Sequence, residues 1–244
     1  MKRIIFLFLF LAAGWSLPKM AVVIDDCGYA LEHIRVFTQL DYPLTLAVIP
    51  GQVYSHASAL EIKKAENKAL LIHFPWPPLG RNAKKEYPIR IEQGYTTANV
   101  AQMLERAVAS VPSADGVNNH MGSALSRDQV MLNKFMYALN ERPEQFYFLD
   151  SNTIQGSYAR RTALAHGILA VRNDIFLDGE QNEALFRRYF AEAVAIAKKY
   201  GTVIAICHSN RLVTRKILKG LLDKYSEQVE FVLLPDIMLE RLRR

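Results

Sequence analysis

The chain predicts an α/β fold, a single deformed (β/α) barrel of seven or eight parallel strands. Three observations predict it. Short apolar runs alternate with amphipathic helical stretches from about residue 20 to the end. The apolar runs have no wet face, as expected of parallel strands covered on both sides. No glycine-rich phosphate loop follows the first run, so a barrel is favoured over an open nucleotide-binding sheet.

The 244 residues suit one domain, since no Pro/Ser/Gly-rich linker and no internal repeat divides them. Residues 1–16 read as a secretory signal peptide. Lys2 and Arg3 precede the apolar run Ile4 to Ala13, and small residues follow at Gly14 and Ser16. Cleavage is expected after Gly14 or Ser16; Trp15 and Leu17 keep an uncleaved anchor as the alternative. The barrel domain, residues 19–244, is then expected in a bacterial periplasm. The formal charge of +6 falls to +4 once Lys2 and Arg3 leave with the leader. No basic run carries interleaved aromatics, so no nucleic-acid partner is expected. Two cysteines, Cys27 and Cys207, are too few for a disulfide framework. Both end predicted strands, which makes a bridge between them an expectation to test.

In order along the chain, Ala21 to Ile24 is a strand ending in Asp25-Asp26-Cys27-Gly28. Leu31, Ile34, Phe37 and Leu40 fall at helical spacing, and Leu44 to Ile49 is the second strand. Ser55 to Lys68 reads as a helix and Ala69 to Ile72 as the third strand, ending in His73. Pro75, Pro77 and Pro78 then predict an extended loop, and residues 79–96 an excursion across the barrel top. Val100, Leu104, Ala107 and Val111 mark a helix, and a strand from Val117 runs into Asn118-Asn119-His120. Ser126 with Gln129 fits a capping box for a helix whose core face is Val130, Phe135, Met136 and Leu139. Phe146 to Leu149 is a strand ending in Asp150-Ser151. Ile168 to Val171 leads to Asp174, and Phe176-Leu177-Asp178 follows. A helix over residues 182–200 ends at Gly201. Thr202 to Cys207 is a strand ending in His208, and a helix, a strand over residues 229–234 and a short basic helix close the chain.

In a parallel barrel all these strand ends meet on one face, where such barrels build their sites. Asp25 and Asp26 are adjacent carboxylates whose mutual repulsion calls for a cation, a shared proton or a strong donor; capping the next helix is the structural alternative. One strand-end histidine is ordinarily structural. Three of them, His73, His120 and His208, sharing a face with two aspartates suit a catalytic zinc, which takes imidazole and carboxylate and keeps a position open for water. Asn118 and Asn119 fit a tight turn, with Asn119 also a candidate substrate contact. Ser151 lacks a Gly-x-Ser-x-Gly elbow and is read as a substrate contact, not a nucleophile.

These segments resemble the divergent polysaccharide deacetylase family of bacterial envelope proteins. The resemblance rests on Asp25-Asp26-x-Gly28, His73-x-Pro75, Asn118-Asn119-His120-Met121-Gly122-Ser123, Asp150-Ser151-x-Thr153, Phe176-Leu177-Asp178 and Ile206-x-His208. It implies a deformed barrel holding a divalent metal, most often Zn2+, and hydrolysis of N-acetyl groups on a polysaccharide or peptidoglycan-like glycan. By the same resemblance Asp26 and His73 are metal ligands, Asp25 is the general base and His208 the general acid. The place of the usual second metal histidine, four residues after His73, is taken by Pro77, so His120 is the candidate. In the hydrolytic reading Asp150 or Asp174 would orient His208, and Trp76 and Tyr87 would stack on sugar rings, with core or lid packing as the alternative for either. The alternative is a non-catalytic, metal-containing module that binds glycan or an envelope protein. A metal-free barrel is the third option. The chain is expected to act as a monomer.

Overall fold

The structure, a computed structural model, describes residues 16–80 and 87–242. All but Ser16 of the predicted leader lies outside the described residues.

The strands are β1 (Lys19–Cys27), β2 (Leu44–Val48), β3 (Lys68–Trp76), β4 (Gly116–Met121), β5 (Tyr147–Asp150), β6 (Ala170–Arg172), β7 (Ile175–Phe176), β8 (Thr202–His208) and β9 (Glu230–Phe231). The helices are α1 (Leu31–Thr38), α2 (Ser55–Lys64), α3 (Thr97–Ser110), α4 (Gln129–Asn140), α5 (Ala159–Ala165), α6 (Glu183–Tyr200), α7 (Leu212–Tyr225) and α8 (Leu234–Leu242). The sheet order is β6-β5-β4-β3-β2-β1-β8-β7, and every pairing is parallel. The short β9 lies beside the start of β1, where β2 has not yet begun.

The sheet curls into a deformed barrel whose two edges, β6 and β7, are consecutive in sequence and separated only by Asn173 and Asp174. Asn173 N–H donates to Asp150 O (2.9 Å) and Asp174 N–H to Ile204 O (3.0 Å), so neighbouring amides bond to opposite edges. That seam closes the barrel without a ladder between β6 and β7.

Side chains alternate along each strand, which divides the apolar residues into two layers. Outward-facing Ile24, Leu70, Ile72, Phe74, Trp76 and Phe148 pack under the helices in the larger core. Inward-facing Ala21, Val23, Ala47, Leu71, Leu149, Ile204 and Ile206 fill the barrel, and Leu234, Ile237 and Met238 of α8 close its lower end. Gly116 permits this filling: a Cβ there would lie 2.6 Å from the Tyr147 ring.

Local chemistry differs from the sequence expectation in four places. The Pro-rich stretch does not leave the sheet at His73. β3 continues to Trp76, because the extended backbone imposed before proline is also strand backbone. Asp128, not Ser126, caps α4, accepting from the Val130 and Met131 amides, and Val130 is 64% exposed. Thr96 and Asn99 form a capping box on α3 instead. The last predicted strand shrinks to β9, since Leu234 already begins α8. Cys27 and Cys207 are both free and buried, and the register sets Cys207 opposite Ile24.

Candidate metal centre and flanking groups

The site is the top layer of the barrel interior. Continuing the inward positions of each strand by two residues gives Asp25 after Val23, His73 after Leu71, His120 after Asn118, Ser151 after Leu149 and His208 after Ile206. Asp26 should point outward by this rule. The β1–β2 register shifts between Ile24 and Cys27, and Asp26 has φ 59°, a left-handed backbone that Asp tolerates better than most residues. This bulge swings a second carboxylate onto the face that Asp25 already occupies.

A cleft of ≈ 660 Å3 opens above this layer, lined by both aspartates, the three histidines, Asn119, Ser151, Asn210 and Arg211 among others. A second cavity, ≈ 830 Å3, lies beside Lys19, Lys198 and Glu230 at the opposite pole, and no histidine lines it.

Within the cleft, Asp26 Oδ1, His73 Nε2 and His120 Nδ1 form a triangle. Its edges are 3.4 Å (Asp26–His73), 3.1 Å (Asp26–His120) and 3.1 Å (His73–His120). A tetrahedral zinc about 2.0–2.1 Å from such ligands would separate them by about 3.3–3.4 Å. Asp26 Oδ1 is buried and makes no hydrogen bond of good geometry, although His120 Nδ1 lies within ion-pair range. A carboxylate oxygen left this way is costly unless something cationic sits on it. The three residues therefore fit a divalent metal.

The surrounding hydrogen bonds orient the donors. Asn118 Nδ2 donates to Asp25 Oδ1 (2.8 Å), which turns Asn118 Oδ1 towards His73 Nδ1 (2.9 Å). Since an amide oxygen only accepts, His73 Nδ1 carries the proton and Nε2 presents its lone pair to the triangle. His120 Nε2 lies 3.0 Å from Tyr87 Oη, a partner that leaves Nδ1 facing the triangle. Asn210 Nδ2 donates to Asp26 Oδ2 (3.0 Å). Burial works against ionising Asp26, but the hydrogen bonds and charge of the two imidazoles reverse it and hold the carboxyl well below its usual range. Burial dominates at Asp25 and raises its pKa. Burial also lowers His120, whereas at His73 the neighbouring Asp25 and Asp26 overcome burial and raise the pKa.

His208 is held differently. Its Nδ1 lies 2.7 Å from Asp178 Oδ1, while Asp178 Oδ2 accepts from the His208 amide (2.7 Å) and from Thr214 Oγ1 (2.6 Å). Phe176 stacks on the ring at 6.1 Å and 9°. Burial alone would lower the pKa, but Asp178 pushes it up to about 9.

Asp178 thus takes the place expected of Asp150 or Asp174. Asp150 faces outward, where its oxygens accept from the Asn152 amide, Ser157 Oγ and Arg172 Nε. Asp174 binds the Ile204 amide and Arg241, four residues before His208 on β8, or roughly 13 Å along the strand. Trp76 also faces outward. It has no exposed surface, and it packs on Phe135 (4.9 Å) and Phe148 (5.7 Å), out of reach of any sugar. Asn119 lines the cleft, but its amide is occupied by Ser151 N–H (2.9 Å) and Met121 O (2.7 Å). Ser151 lines the cleft too, its Oγ 3.3 Å from Asn118 Nδ2. Tyr87 is nearly buried and braces His120 rather than offering a stacking face. Sequence reasoning assigned no role to Asp178, Thr214 or Asn210. The Phe176-Leu177-Asp178 segment carried the signal for the first.

The fold is that of the polysaccharide deacetylase barrels. The chain belongs to the divergent polysaccharide deacetylase family, whose sequence profile matches residues 22–238. It is 32% identical over 221 residues to the uncharacterized protein YibQ of Escherichia coli K12, covering 91% of this chain and 65% of that one. It is 33% identical over 224 residues to an uncharacterized protein of Haemophilus influenzae Rd, covering 92% and 78% of the two chains. The chain thus spans just under two thirds of the E. coli relative. Among solved structures, the uncharacterized ATU2773 of Agrobacterium tumefaciens C58 aligns with a TM-score of 0.78 at 20% identity, over 91% of this chain and 88% of that one. A mutant of BA3943, described as a CE4 family pseudoenzyme with restored enzymatic activity, aligns with a TM-score of 0.55 at 12% identity, over 91% and 68%. At these identities the structural likenesses speak for the fold alone.

Proposed function

We propose that the protein is a metal-dependent carbohydrate deacetylase, an amide hydrolase that removes N-acetyl groups from an envelope polysaccharide or peptidoglycan-like glycan. One observation carries this: a ligand triangle of tetrahedral dimensions lies in the same cleft as a carboxylate and an imidazole suited to base and acid. Asp26, His73 and His120 would hold the metal. Zinc or a similar ion in that position polarises an acetamide carbonyl and lowers the pKa of water. Asp25 accepts the proton of the attacking water; burial raises its pKa towards the range where a carboxylate is an effective base. Asn118 keeps one Asp25 oxygen occupied and leaves the other towards the cleft. His208, protonated at neutral pH and fixed through Nδ1 by Asp178, presents Nε2 to the leaving amine and gives up its proton as the C–N bond breaks. The leader-like residues 1–16 support a periplasmic site of action, and cell fractionation with mass determination of the mature protein tests this.

A second proposal is a metal-containing module that binds glycan or an envelope protein without turnover. Pro77 in place of the usual histidine favours it, as does the pseudoenzyme among proteins of this fold. Metal content of the full chain, purified without chelator or affinity tag, is measured beside acetate release from acetylated chitooligomers and peptidoglycan. Near-stoichiometric zinc with acetate release is expected. Zinc without release from any acetylated glycan selects the binding module, and no metal after zinc incubation removes the hydrolytic mechanism.

A further inference from the structure

The cleft holds one group that the deacetylase chemistry leaves unused. Arg211 lines it between Asn210, which grips Asp26, and α7. Its backbone is fixed, since its amide donates to His208 O (3.3 Å) and its carbonyl accepts from the Arg215 amide (3.3 Å). Its guanidinium has no hydrogen bond, ion pair or aromatic partner among the described residues. By contrast Arg35, Arg142, Arg172, Arg187 and Arg241 each pair with a carboxylate. Among the described residues, Arg211 is also the sole lysine or arginine lining the cleft.

Its position runs against local physics. Arg211 is the N-cap of α7, where Ser, Thr, Asp or Asn is preferred and where the positive end of the helix disfavours a cation. The first turn of α7 holds no acidic residue to offset it. The charges of the cleft offer it a use. A divalent metal held by Asp26, His73 and His120 would offset the two aspartates, the His208 ring is held by Asp178, and the guanidinium has no counter-charge among the described residues.

We infer that Arg211 selects an acidic glycan, one bearing a carboxylate or phosphate on the N-acetylated sugar or the residue next to it. A planar fork of donors suits either anion, and Arg211 directly follows Asn210, which contacts Asp26, so the anion would lie close to the acetamide. This rests on the deacetylase proposal for the position of the acetamide, but it is read by binding and needs no turnover.

The test is calorimetric titration of the zinc-loaded full chain at low salt with a muramic-acid-containing oligosaccharide and with its methyl ester, which removes only the charge. Binding of the acid about tenfold tighter than the ester is expected. That ratio falls to near one in Arg211→Gln and is partly kept in Arg211→Lys. A phosphorylated N-acetylglucosamine oligosaccharide in the same series separates the two anion sources: carboxylate is selected if only the muramic acid gains, phosphate if only the phosphorylated glycan does. Equal affinity for acid and ester with no gain from phosphate overturns the inference. So does an anion preference that survives in folded Arg211→Gln, or failure of every acidic glycan to bind. Anion preference without acetate release keeps the inference and removes the deacetylase. Release without anion preference does the reverse.

Discussion

The three histidines of the cleft are held in two ways. His73 and His120 lean on neutral groups, the Asn118 amide and the Tyr87 phenol, with their other nitrogens turned inward. His208 leans on a buried carboxylate, Asp178. A neutral partner fixes the ring without fixing a charge, so the inward nitrogen can serve as a ligand. A carboxylate partner fixes a charge as well, so the inward nitrogen carries a proton to give away. Under the proposed function one side chain type would serve two roles in one cleft, and the group behind it would decide which.

The most severe way to break this contrast is to remove a corner of the triangle. His120→Ala and Asp26→Ala are each expected to lose more than about 100-fold in zinc affinity, measured by competition with a chromogenic chelator. His208→Ala should keep its zinc. Asp178→Asn attacks the other side. It is expected to lower acetate release by about 10^2–10^4-fold while metal content by mass spectrometry is unchanged. The same variant sharpens the contrast in pH. His208 acts as an acid while protonated, so wild-type release should persist through neutral pH and decline as pH rises through about 9. In Asp178→Asn that alkaline limb should move down towards the ordinary imidazole value of about 6.5.

Tyr87→Phe makes a smaller change, because it keeps the ring and removes only the oxygen beside His120 Nε2. About a tenfold loss of zinc affinity is expected by the same competition, while the pH limb set by His208 stays in place. Least affected should be Asp174→Asn. Acetate release should stay within about twofold, with a stability loss of about 0.5–1.5 kcal/mol in urea from the weakened bonds to Ile204 and Arg241. A large loss of release there would return Asp174 to the role expected from sequence.

What the sequence exposed and what it hid divide along a physical line. The polar ends of buried strands were visible, since Asp25, His73, His120 and His208 each interrupt an apolar run. Their meeting on one face follows from parallel topology alone. The direction of each side chain was less visible. Strand alternation, counted from Leu71, turns Trp76 outward, and counted from Leu149 it turns Asp150 outward. The Pro-rich sequence around Trp76 suggested a loop in which that count does not apply. Asp26 breaks the count in the other direction, because a bulge at one register shift cannot be read from composition. Asp178 was hidden by the seam. Its approach to His208 depends on β7 pairing with the upper half of β8, a long-range contact that the Phe176-Leu177-Asp178 segment marks without naming its partner.

That seam bears on how the molecules treat one another. The sheet ends in strands of three and two residues, β6 and β7, which the chain itself joins. Exposed strand edges recruit other chains, and very short ones recruit them poorly. The longer strand β1 is flanked by β8 and β2, and β9 covers the stretch where β2 is missing. Among the described residues a neighbouring copy finds no long row of free amides on which to extend the sheet, so the same two residues that close the barrel also guard its edges against edge-to-edge pairing.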